Sequence, residues 1–145
     1  MMLFSLLFAC QSLLWPPLKE GTYDLELVAL VEDSCGYTAE DLGVGLQQTV
    51  DLSWDNEILS MSGDGNEGQY LWTGDGFEAL GYTEVAVDDT CVLIINATYD
   101  GQTFDRESFG MLEDMSLSVT GDCMAWDVSM MPCTDTLAWE GHLQQ

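Results

Sequence analysis

From Gly21 onward, apolar and polar residues alternate with a period of two, segment after segment. A chain patterned this way buries one face of a strand rather than one stripe of a helix. Tyr23, Leu25, Leu27 and Ala29 take one face, and Thr22, Asp24 and Glu26 the other. Val50, Leu52 and Trp54 repeat the arrangement against Thr49, Asp51 and Ser53, and Asp55-Asn56 marks a tight turn into a strand over 58–62. Residues 69–73 and 77–83 flank a second turn, Gly74-Asp75-Gly76, with a short further piece at 85–87. The strongest strand covers 91–99, with Cys91, Leu93, Ile95, Ala97 and Tyr99 on one face, and Asp100-Gly101 reads as the turn into 102–109. Met115, Leu117 and Val119 alternate next, and 137–143 closes the series with Leu137, Trp139 and Leu143 inward. Helix is confined to one short candidate at 38–48, capped by Thr38 and limited by Gly43 and Gly45. The pattern predicts an all-β fold: an antiparallel up-and-down meander of roughly eight strands closed as a barrel. Closure leaves no exposed edge, and a sandwich is the alternative.

The 145 residues suffice for one core, and with 47% apolar and 19% charged residues the chain has the composition of a packed domain. Its charge is almost all of one sign, 26 Asp and Glu against 2 Lys and Arg, for a net charge of −24. Nucleic acid is excluded as a partner, because phosphate binding needs cations that this chain lacks. The same field repels anionic headgroups, so membrane attachment has to be apolar or covalent. Solubility, a saline habitat and divalent cation binding all remain compatible with the acidity, solvated carboxylates being the default.

Five cysteines separate into Cys10, within the N-terminal apolar stretch, and Cys35, Cys91, Cys123 and Cys133 downstream. None forms a C-x-x-C, and a single histidine, His142, gives little support to a zinc site. Two disulfides made in an oxidising compartment are expected. Spacing allows three connectivities. The preferred one joins Cys35 to Cys91 and Cys123 to Cys133, fastening the loop after the first strand to the central strand and the segment before the last.

The first nine residues, MMLFSLLFA, lead into Cys10, with Leu7, Phe8 and Ala9 just before it. This resembles the lipobox of bacterial lipoprotein signal peptides, with an aliphatic residue three before the cysteine and a small one immediately before. The resemblance implies cleavage before Cys10, a lipid on its thiol, and a linker through Pro16, Pro17, Lys19 and Gly21. Gln11 after the cysteine resembles the pattern that sorts such proteins to the outer membrane. The sequence departs from the pattern in lacking Lys or Arg before a short apolar run and in the bulk of Phe8. The alternatives are a secreted protein cleaved near Ser12 and a retained anchor, although residues 3–15 fall short of the roughly 20 that a spanning helix needs. The expected organisation is a signal peptide at 1–9, a lipidated linker at 10–20 and a single barrel at 21–145. Gly21, Thr22 and Tyr23 resemble the glycine-any-tryptophan opening of lipocalins, which implies a ligand-binding barrel, with tyrosine in the tryptophan position.

Candidate chemistry is sparse. His142 alternates outward, and Glu113-Asp114 and Asp88-Asp89 read as solvated turns rather than acid–base pairs. The sequence 62–68, with Asp64, Asn66 and Glu67, and Asp75 nearby, offers oxygens to calcium but fits no EF-hand spacing. Trp54, Trp72, Trp126 and Trp139 either line a cavity or fill the core. Met124, Met130 and Met131 around Trp126 form either an exposed contact loop or a plug. The resulting expectation is a non-enzymatic envelope lipoprotein, without cofactor, that binds a small apolar ligand or an envelope partner. The alternative is a secreted calcium-dependent structural or adhesive module.

Overall fold

The alternating segments become eight strands: β1 Gly21–Asp33, β2 Gln47–Asp55, β3 Ile58–Gly63, β4 Asn66–Trp72, β5 Gly76–Ala86, β6 Cys91–Thr103, β7 Ser108–Gly121 and β8 Cys133–Leu143. The computed structural model describes residues 17–63 and 66–145, Asn66 by its backbone alone. Each strand pairs antiparallel with the next, and β8 returns to β1, so the sheet closes as an up-and-down barrel. The expected barrel is therefore the fold, and the sandwich is not. Closure gives every strand a partner on each side, although β4 and β5 meet only at Leu71–Glu78 and Trp72–Phe77.

The inward face follows the sequence phase. Tyr23, Leu25 and Leu27 of β1, Val50 and Leu52 of β2, Leu59 and Met61 of β3 and Phe77 of β5 are all buried. Beyond Leu27 the β1–β8 register shifts twice, a bulge that takes Val31 out to 54% exposure. Between β2 and β3, Asn56 takes the positive φ of 55° that this two-residue connection requires.

Three expectations about the chain path are corrected. Asp100-Gly101 is not a turn, because β6 runs on to Thr103 and the chain reverses only at residues 104–107. Gly101 lies where a Cβ would come within 2.2 Å of the Phe77 ring, and Gly141 meets the Phe109 ring in the same way at 2.3 Å. Both glycines make room for an aromatic, the other common reason for a glycine in a strand. The piece at 85–87 is no separate strand, since β5 continues to Ala86. The candidate helix at 38–48 is a single coiled turn. There Thr38 Oγ1 accepts from the Asp41 amide (3.1 Å) and the Asp41 carboxylate accepts from the Thr38 amide (3.0 Å). Gly43 and Gly45, with φ of 80° and 89°, end it.

The two ends of the barrel differ. The end where β1 begins is plugged: Leu18 is 1% exposed, and its carbonyl accepts from Trp54 Nε1 at 2.8 Å. Trp54 meets Trp72 edge-on at 5.5 Å, and Tyr23, Phe77 and Phe109 pack above them. The folded unit thus takes in Leu18, which the sequence reading assigned to the linker. The Tyr23 hydroxyl donates to the Lys19 and Arg106 carbonyls, and its pKa is pushed up to about 12 by burial and then by the charges of Glu107 and Asp105. The opposite end carries the long connections 34–46 and 122–132.

Candidate functional site

Above the plug the barrel is hollow. A cavity of about 870 Å³ opens toward the end that carries the long connections. Its existence follows from uneven strand length: β6 and β7 have 13 and 14 residues, while β3 and β4 have 6 and 7, so the wall is tall on one side and low on the other. The seam between β4 and β5 is held by only two paired positions, Leu71 with Glu78 and Trp72 with Phe77. Beyond them Gly68–Tyr70 and Ala79–Thr83 stand on either side of the opening and line it.

The cavity floor and walls are aromatic and sulfur-rich, with Tyr70, Tyr99, Trp139, Met61 and Met111 among the lining side chains. Tyr70 stands edge-on to both Phe77 (5.4 Å) and Tyr99 (5.7 Å), which continues the ring stack of the plug into the lumen. Polar side chains, Gln48, Glu67, Gln69 and Thr83, line it as well, and among the rings stands Glu113. It shares the inward phase of β7 with Phe109, Met111 and Leu117 and sits opposite Tyr99 in the β6–β7 register. Tyr99 donates its hydroxyl to Glu113 Oε1 at 3.0 Å, and Trp139 donates Nε1 to Oε2 at 2.9 Å. Burial, then the Glu113 charge, holds the Tyr99 hydroxyl far above the ordinary tyrosine range and raises Tyr70 as well. Both phenols are therefore neutral at physiological pH.

Sequence reasoning placed Glu113 in a solvated turn; it is instead a strand residue inside the lumen. The signal was present, because Met111, Met115 and Leu117 put Glu113 in phase with the apolar face. The same phase marks Asp135 on β8, between Cys133 and Leu137. It is 1% exposed, and neither carboxylate oxygen has a hydrogen-bond partner. It lies opposite Asp33 of β1. Burial and then Asp33 raise the Asp135 pKa to about 6, while Asp33, which also accepts from the Cys35 and Gly36 amides, is held below its ordinary value. A single proton between the two carboxyls would satisfy both.

The four downstream cysteines are paired, but not as preferred. Cys35 joins Cys133, and Cys91 joins Cys123. Barrel closure sets β1 beside β8, so the cysteine just past β1 meets the one that begins β8. The chain then leaves β7 next to the start of β6, which brings Cys123 to Cys91. Both bridges lie at the open rim. There Trp126 donates Nε1 to Asp88 at 2.7 Å, which lowers the Asp88 pKa to about 2, and Thr90 exchanges backbone and side-chain bonds with Asp122.

The remaining expectations divide. Of the tryptophans, Trp54 and Trp72 fill the plug, Trp139 lines the cavity and Trp126 is a rim residue. Met124 is 94% exposed and Met130 53%, so the 122–132 connection is an exposed apolar loop and not a plug. His142 faces solvent beside Glu140. Of the calcium candidates, the two whose side chains are described stand apart. Glu67 is at the open rim and Asp75 is in the turn between β4 and β5 at the plugged end, roughly 20 Å away by strand rise. Asp64 and the Asn66 side chain lie outside the described residues, as does Cys10. Comparison of the chain with protein-family models, with curated proteins and with solved structures found no match.

Proposed function

We propose that this protein is a non-enzymatic cell-envelope lipoprotein whose barrel takes up a small, largely apolar molecule through its open end. The observation that carries the reading is the 870 Å³ cavity walled by Tyr70, Tyr99, Trp139, Met61 and Met111 above a solid plug. Its size falls within the range of small-molecule pockets, about 300–1,000 Å³, and its wall combines aromatic and sulfur side chains with polar groups that can fix a ligand's orientation. A barrel whose purpose was only stability would be filled on both halves, since empty lumen forfeits packing. The envelope location is supported by two disulfides, which persist outside reducing compartments, and by the lipobox-like run ending at Cys10.

Titration with the neutral fluorophore N-phenyl-1-naphthylamine tests the reading. Wild type should bind one equivalent with a blue-shifted emission, and Ala79→Trp, which projects an indole into the lumen, should abolish it. Equal binding by both proteins, or none by wild type, would refute a ligand cavity. Labelling with a fatty-acid analogue, lost in Cys10→Ala, tests the anchor.

A further inference from the structure

The lumen holds a negative charge with no positive partner. Glu113 accepts from two neutral donors, Tyr99 and Trp139, which take one acceptor position on each oxygen and leave the others free. Among the described residues the basic side chains in contact with a carboxylate are Lys19, at Glu107, and His142, at Glu140. All three cationic or protonatable side chains of the chain, Lys19, Arg106 and His142, belong to the plugged end: before β1, between β6 and β7, and at the end of β8. Glu113 is half-buried, and an occupant that closes over it removes its remaining water, a cost that is offset when the occupant brings the counter-ion.

We propose that the occupant is an amphipathic organic cation, an alkyl or aryl ammonium. Its charged head sits against Glu113, and its apolar body lies along Tyr70, Trp139 and Met111. This rests on the cavity reading above and narrows it. The rings of Tyr70, Tyr99 and Trp139 around Glu113 add cation–π attraction to the charge pair. The net charge of −24 draws cations to the mouth and repels fatty acids and other anionic amphiphiles. A neutral apolar ligand would strip water from Glu113 and offer no charge in return.

Calorimetric titration with octylammonium and with octan-1-ol, which share a chain and differ in the head, separates the possibilities. Wild type should favour octylammonium by about 10-fold or more. Glu113→Gln, which keeps shape and an acceptor, should bring the two to parity by weakening octylammonium. Octanol binding with no ammonium preference in wild type, or a preference unchanged in Glu113→Gln, overturns this inference and leaves the cavity reading standing. Binding of neither overturns the cavity reading itself. If the variant fails to fold, wild type in about 0.5 M salt decides, because charges inside the lumen are screened far less than those on the surface. A preference that disappears there belongs to the general surface field and overturns the assignment to Glu113.

Discussion

Replacing Asp135 by Asn should stabilise this protein at neutral pH and do nothing for it in mild acid. The Asp135 carboxyl is 1% exposed, faces Asp33, and has its pKa raised from 3.8 to about 6 by burial and by its neighbour. Between those two values the folded chain holds a proton that the unfolded chain has released, so stability falls as pH rises from about 4 to 6 and is level above. A shift of about two units at about 1.4 kcal/mol each sets an upper bound near 3 kcal/mol, and water at the exposed Asp33 reduces this to about 2. Asn carries no charge, and its amide donates to the Asp33 carboxylate as the protonated acid would. Asp135→Asn should therefore exceed wild type by about 2 kcal/mol at pH 7.5, roughly 8 °C in melting temperature for a chain of this size, and match it at pH 4. The many surface acids also respond to pH, but they do so equally in both proteins, so the difference between the melting curves isolates the pair. A difference that stays constant from pH 4 to 7.5 would show that no proton is shared at this site.

Three further outcomes are expected. Gly101→Ala forces a methyl to within 2.2 Å of the Phe77 ring and should cost about 1–3 kcal/mol in urea unfolding, whereas a true turn glycine at φ > 0 would respond regardless of ring size in Phe77→Leu. Removing Cys35–Cys133, which spans 98 residues, should cost roughly 4.7 kcal/mol on loop entropy, against roughly 3.7 for Cys91–Cys123, which spans 32. Denaturant unfolding of the two double Cys→Ala variants checks the order, and peptide mapping checks the pairing. In alkaline titration followed at 295 nm, Tyr23, Tyr70 and Tyr99 should stay protonated past the ordinary range until the barrel opens, and Tyr99→Phe should remove one late transition. Stability falls as pH rises above about 10, because the unfolded phenols ionise first.

What could be read in the sequence was the local pattern, and what could not was anything decided by closure. Alternation placed Tyr23, Leu25, Val50, Leu52 and Leu137 correctly because burial of one strand face is written in adjacent residues. Gly101 misled because a glycine serves a turn and an aromatic contact equally well, and only the position of Phe77 distinguishes them. The disulfide partners depend on β1 lying beside β8, a contact between residues about a hundred positions apart that no spacing rule encodes. Glu113 and Asp135 were legible in phase, as carboxylates on an otherwise apolar face. Composition hid them, since in a chain with 26 acids an individual acid attracts no notice. The cavity was not legible, because it comes from unequal wall heights and a two-pair seam, both properties of the assembled sheet.

The placement of Leu18 in the plug has a geographic consequence. The Gln144 amide bonds to the Thr22 carbonyl at 2.9 Å, so both termini of the barrel leave from its base. A lipid on Cys10 would then hold the base toward the bilayer on a tether of at most about 29 Å and turn the mouth outward to the water. Cargo would arrive by diffusion from the aqueous side rather than by partitioning out of the membrane. Lys19 and Arg106 lie at this base, where they offset part of its acidic charge.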